Sequence, residues 1–272
     1  MDNPVSFQAG RVPLLISIPH AGTNLTDAVQ HGLVPAAQGL PDTDWHLPQL
    51  YSGAREMGAS VVAGQYSRFV IDLNRPADDQ PLYSGATTGL YPGCLFDGSP
   101  LYREGAVPSA EERARYLEQI WQPYHQAVAA ELARLRATFG YALLWEAHSI
   151  RSVLPMLFEG ALPDLNLGTF NGASCDPELA ARLVPVCLDA KAYSHSLNGR
   201  FTGGYITRNY GNPAADIHAV QLELTQRNYM SETAPFEYDP VRAEAVQQVI
   251  NLLLQTMLDW GRERYGHDHA EA

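Results

Sequence analysis

The chain has 272 residues, 46% of them hydrophobic and 18% charged, with a formal net charge of −12. That length accommodates one large domain or two small ones, and the apolar share supports a sizeable core. The acidic balance excludes a general nucleic-acid binder, which needs a positive surface to displace counterions, but leaves room for a locally basic pocket around a small anion. Cys94, Cys175 and Cys187 show no C-x-x-C spacing and read as reduced thiols rather than a disulfide framework or a thiolate zinc site. Met1–Arg11 lacks a basic region followed by an apolar run, and no stretch reaches bilayer length. A cytoplasmic protein with no membrane partner is therefore expected. The sequence carries no signal of oligomeric state.

No repeat and no Pro/Gly/Ser linker divides the chain, so one domain over residues 1–272 is expected. Val12–Ile18 reads as a buried strand ending at Pro19-His20. Trp45–Met57 carries Leu47, Leu50, Tyr51 and Ala54 at helical spacing, and Ala59–Ala63 and Arg68–Leu73 read as strands. Ser109–Phe139 is the clearest helix, opened by a Ser109/Glu112 capping box and stopped at Gly140, with Pro123 expected to kink or divide it. Tyr141–Trp145 is a strand followed at once by Glu146-Ala147-His148-Ser149. Asp176–Leu188 is helical, His218–Leu224 a strand and Pro240–Tyr265 a long closing helix, with Gly266–Ala272 a frayed tail. For His267 and His269 in that tail, a disordered terminus is the default over metal chelation.

The alternation of strands and helices predicts a three-layer α/β/α fold on a mixed, mostly parallel sheet, with ligands bound beyond the carboxyl ends of the strands. Three apolar runs end in His20, in Asn74-Arg75 and in His148, and a fourth contains Glu223. These residues should converge on one rim.

Each group suits a task. Catalytic zinc takes three imidazole or carboxylate ligands and keeps one position open. His20 and His148, each following a strand and flanked by carboxylates and small residues, fit that use better together than either would alone. The third ligand stays open among Asp44, Asp42 and Glu146; the aspartates could equally cap a helix, and Glu146 could orient His148. In Ser67–Pro76, Arg68 and Arg75 offer guanidinium forks for carboxylate and Asn74 an amide donor; an Asp72–Arg75 ion pair is the structural default. Glu223 sits among apolar neighbours whose desolvation should raise its pKa towards that of a general base. Asn198–Arg208 is a glycine-rich loop with two arginines, Arg200 and Arg208, and lacks the pattern of a phosphate-binding loop.

In order along the chain, Pro19-His20-Ala21-Gly22, Asp42/Asp44, Asp72-Leu73-Asn74-Arg75, Glu146-Ala147-His148-Ser149, Asn198–Gly211 and Gln221-Leu222-Glu223-Leu224 resemble the N-formylglutamate amidohydrolase family. That family is related to zinc carboxypeptidases and aspartoacylase, so the resemblance implies a zinc-exopeptidase-like fold and hydrolysis of a small anionic N-acyl amino acid, N-formyl-L-glutamate, in histidine breakdown. It further implies zinc at His20 and His148, Asn74 and Arg75 on a substrate carboxylate, Arg68 on the scissile carbonyl and Glu223 as catalytic glutamate. The wider group has a glutamate three residues after its first histidine, where this chain has Thr23; the role passes to Asp44, with Asp42 second. Arg200 or Arg208 is left for the side-chain carboxylate.

Overall fold

The computed structural model describes residues 3–82 and 88–266. Beyond Gly266, the tail expected to fray, with His267 and His269, lies outside the described residues. Among the described residues, β1 (Val5–Gln8), β2 (Leu14–Ile18), β3 (Ser60–Gly64), β4 (Ala142–Ile150), β5 (Leu165–Gly168), β6 (His195–Leu197) and β7 (Ile217–Thr225) form one sheet in the order β1-β3-β2-β4-β7-β5-β6. The pairs β2–β3, β2–β4, β4–β7 and β5–β6 are parallel, and β1–β3 and β5–β7 antiparallel, giving the mixed, mostly parallel sheet expected.

The helices are α1 (Asp27–Gly32), α2 (Leu47–Leu50), α3 (Ser52–Glu56), α4 (Ala110–Tyr116), α5 (Gln122–Phe139), α6 (Pro177–Asp189), α7 (Tyr205–Tyr210) and α8 (Pro240–Tyr265). Ser109 and Glu112 close the capping box on α4, and Gly140 ends α5 at φ 81°, a left-handed conformation that glycine adopts without steric cost. Between α4 and α5 the chain makes a π-helical turn, Leu117–Trp121. Pro123 follows at once, with no N–H for the helical ladder, so the expected division falls where a regular bond is impossible. Among the described residues, no helix is long and apolar enough to cross a membrane.

Strand alternation sorts the core into two layers. Leu14, Ile16, Leu143, Trp145, Val220 and Leu222 face α6 and α8 with Leu47 and Ala54 of α2 and α3. Leu15, Val62, Ala142, Leu144 and Ala219 face Tyr124, Val128 and Leu132 of α5. On that second face the side chains change character along the strands. Ala142 and Leu144 give way to Glu146 and His148, Ala219 to Gln221 and Glu223, and Leu15 to Ser17, all of them buried. Buried polar groups in register across three neighbouring strands need compensating partners, and that need locates the site.

Three expectations are corrected. Arg68–Leu73 is an irregular turning segment and not a strand, with Val70 N–H bonded to Ser67 O at 2.9 Å. Its Phe69, Val70, Ile71 and Leu73 are apolar because the loop is buried in the α5-side core, which periodicity cannot distinguish from a strand. Trp45–Met57 breaks at Tyr51 into α2 and α3 while burying the same residues. The strand expected at Tyr141–Trp145 continues to Ile150, so His148 lies inside β4 and not beyond its end.

Leu144 is fully buried beneath the polar patch. Leu144→Ala should lower the unfolding free energy by about 2–5 kcal/mol, read from the urea midpoint; an unchanged midpoint would contradict the packing described.

Candidate active site

His20 follows β2, Asp44 lies in the turn before α2, and His148 is in β4; all three are buried. One ligand atom from each comes within 4.8 Å of the others. His148 Nδ1 is 3.1 Å and His20 Nδ1 3.8 Å from Asp44 Oδ2. Ligand bonds of about 2.1 Å in a tetrahedral site put neighbouring donor atoms roughly 3.4 Å apart, a spacing these distances bracket. His20 Nδ1 is buried without a hydrogen-bond partner, an orphan that a cation would satisfy. The donor set of two imidazoles and a carboxylate fits a catalytic divalent ion.

The far sides of both rings are held. His20 Nε2 donates to Asp72 Oδ1 at 2.7 Å, leaving Nδ1 as the bare lone pair. His148 Nε2 lies 2.8 Å from Asn74 Nδ2 and 2.9 Å from Glu146 Oε1. Burial, then the charge of Arg68, pushes His20 down to about 4. Burial would lower His148 too, but Asp44 and Glu146 carry it well above its usual value.

Arg68 Nη2 donates to Asp72 Oδ2 at 2.7 Å, and its guanidinium packs 4.5 Å over the Phe96 ring. Glu223 pairs in register with His148, so both side chains leave the same face of the sheet. Burial, the largest effect, pushes Glu223 up to about 8, opposed by His148 and reinforced by Asp44. Asp42 turns away from the triad, accepting Phe96 N–H at 2.8 Å and Arg151 Nη2 at 3.0 Å.

His20, Asp44, His148, Arg68, Asn74, Arg75, Arg200 and Glu223 all line one pocket. Arg75 donates from Nε to Thr88 O at 2.7 Å, and the expected Asp72–Arg75 side-chain pair gives way to Asp72–Arg68. Arg200 donates from Nε to Leu157 O at 2.7 Å. Arg208, on α7, lies outside the lining; it donates to Gly203 O at 2.7 Å and Leu82 O at 3.0 Å, and packs over Phe170. The glycines of its loop are sterically required. Gly203 has φ +125°, and a Cβ on Gly204 would sit 2.2 Å from Asn74 Nδ2.

Thr88, Phe96, Leu157 and Gln221 also line the pocket without having been singled out as site residues. Gln221 carried a signal, as the other polar residue of the apolar run Val220–Leu224, two before Glu223; its Oε1 accepts Gly204 N–H at 2.7 Å. Phe96 and Leu157 carried none, because loop residues acquire their neighbours only through folding.

Fold and pocket together define the class: a layered α/β hydrolase with a candidate metal centre, a buried carboxylate and arginines facing one cavity. The chain belongs to the N-formylglutamate amidohydrolase family, whose sequence model matches residues 12–230. It is 67% identical over 265 residues to the N-formylglutamate deformylase of Pseudomonas putida, covering 97% of this chain and 99% of that one. To the enzyme of the same name from Pseudomonas aeruginosa it is 66% identical over 265 residues, with 97% and 100% covered. Its fold matches the crystal structure of an N-formylglutamate amidohydrolase from Ralstonia eutropha with a TM-score of 0.82 at 22% identity, covering 96% of this chain and 99% of that one.

Metal analysis tests the triad. His20→Ala and His148→Ala should each lose most bound metal relative to the parent protein; full retention in both would remove the assignment.

Proposed function

We propose that this protein hydrolyses N-formyl-L-glutamate to formate and L-glutamate, using a divalent ion, zinc, held by His20, Asp44 and His148. The observation that carries the reading is the shared pocket: the triad, Glu223 and Arg68 face one cavity whose rim holds further arginines. The names of the two Pseudomonas relatives support the same substrate. The reading treats the chain as one domain built on the sheet. Histidine degradation, the pathway implied by the family, is its setting, and three free thiols suit a reducing, cytoplasmic compartment.

An ion held by His20, Asp44 and His148 would supply Lewis acidity towards the formyl carbonyl and the attacking water. Glu223 takes a proton from that water as its oxygen bonds to the formyl carbon. Burial raises its carboxyl towards neutrality, and a divalent charge beside it would favour the ionised form that acts as base. Arg68, locked by Asp72 and Phe96, stabilises the negative charge developing on the carbonyl oxygen, a contribution of about 3–4 kcal/mol for one such donor. Glu223 then delivers the proton to the amide nitrogen as the C–N bond breaks. Asn74 and Arg75 hold the α-carboxylate and Arg200 the side-chain carboxylate. Arg208 braces the loop that carries Gly203.

Purified protein should release formate from N-formyl-L-glutamate, lose that activity on chelation and regain it with zinc; absence of formate under zinc-replete conditions would overturn the reading. N-acetyl-L-glutamate should turn over much more slowly, and equal rates would point to a broader deacylase. Glu223→Gln should lower kcat by a factor of roughly 10²–10⁴ with metal content intact; near-normal turnover would remove Glu223 as the base.

A further inference from the structure

Helix α5 reaches the pocket indirectly, through the segment that carries Asn74 and Arg75. His125 of α5 is 5% exposed and takes no part in the chemistry above. Its Nε2 lies 2.9 Å from Leu73 O. A carbonyl oxygen only accepts, so Nε2 carries the hydrogen; Nδ1 lies 2.9 Å from the Tyr210 hydroxyl of α7, which also reaches His125 O at 3.1 Å. Trp121, at the end of the π turn, donates from Nε1 to Arg75 O at 2.9 Å. The Trp121 and His125 rings stack with centroids 3.8 Å apart.

Leu73 and Arg75 flank Asn74, so the two bonds grip the backbone on either side of it. The other end of the connection is also tied, since Ile206 N–H of α7 donates to Asn74 Oδ1 at 2.9 Å. The π turn lies where helix irregularities are often found, next to a functional segment.

We infer that Trp121 and His125 are positioning residues that fix the Asn74-Arg75 segment for carboxylate binding, and so govern substrate affinity more than the chemical step. This rests on the assignment of Asn74 and Arg75 to a substrate carboxylate.

Steady-state kinetics of the zinc-loaded enzyme with N-formyl-L-glutamate, beside calorimetric binding of the product L-glutamate, separate the cases. Trp121→Phe keeps the ring and loses the N–H. It should raise KM and weaken glutamate binding roughly fivefold to tenfold, with kcat within about twofold and metal content unchanged. His125→Leu should act in the same direction, and His125→Gln, which retains an amide donor, should recover most of the loss. If His125→Leu does not fold, Trp121→Phe still decides. Arg75→Ala tests the underlying assignment, because unchanged KM and glutamate affinity there would defeat the carboxylate role itself. If Arg75→Ala weakens both while Trp121→Phe leaves them unchanged, or lowers only kcat, the positioning role is overturned.

Discussion

The candidate site depends on one buried carboxylate, that of Asp72. With no solvent exposure, its Oδ1 accepts His20 Nε2–H at 2.7 Å and the backbone N–H of Asn74 at 2.9 Å, while Oδ2 accepts Arg68 Nη2–H at 2.7 Å. Burial alone would raise its pKa, yet the His20 imidazole bonded to it and the charges of Arg68 and Arg75 hold it well below the usual range. A single anion thereby fixes three things at once: the tautomer of a proposed metal ligand, the direction of the guanidinium proposed to face the scissile carbonyl, and the start of the Asn74-Arg75 segment. Its removal would strip the buried Arg68 of its 2.7 Å partner and leave Asp44, at 4.0 Å, as the nearest counter-charge, which should be strongly destabilising.

Electrostatic balance in the pocket favours a cation there. Asp44, Asp72, Glu146 and Glu223 are all buried within reach of one another's fields, and Arg68 is the buried cation among them. Without further positive charge the carboxylates must be protonated or draw protons onto their neighbours. The shifts run that way: burial pushes Glu223 and Glu146 up, and Asp44 and Glu146 carry His148 well above the ordinary imidazole value. A divalent ion among His20, Asp44 and His148 would relieve all of them together, which is why the orphaned Nδ1 of His20 and these shifts share one explanation.

Much of the fold was readable because its boundaries are chemically marked. The closing helix runs over Pro240–Tyr265 as expected, with Asp239 accepting the N–H groups of Val241 and Arg242 and proline in the first turn, where its missing N–H does no harm. The polar residues in the apolar strands β4 and β7 likewise pointed to a buried polar face, which the register of the two strands brings together. What resisted reading was whatever depends on distant partners. The backbone of Arg68–Leu73 was taken for a strand because burial alone makes its residues apolar. The short strands β1, β5 and β6 span only three or four residues each, too few to establish a period. His125 looks like an ordinary core residue of an amphipathic helix, and its bond to Leu73 crosses 52 positions of sequence.

The aspartates of Pro41-Asp42-Thr43-Asp44 show how three-dimensional context divides two residues that composition treats alike. Separated by a single threonine, they were competing candidates for one ligand position. Folded, they face different partners: Asp44 Oδ2 turns to His20 and His148, while Asp42 anchors the backbone N–H of Phe96 and pairs with Arg151. Phe96 in turn lies against the guanidinium of Arg68, whose Nη1 is 4.0 Å from Asp44 Oδ1. Both carboxylates therefore act on the same arginine, one by charge and the other through the aromatic face it holds in place. An arginine fixed by Asp72 at one edge and by Phe96 across its plane has little freedom left to lose when charge develops beside it. That economy of motion is what electrostatic stabilisation of a transition state requires.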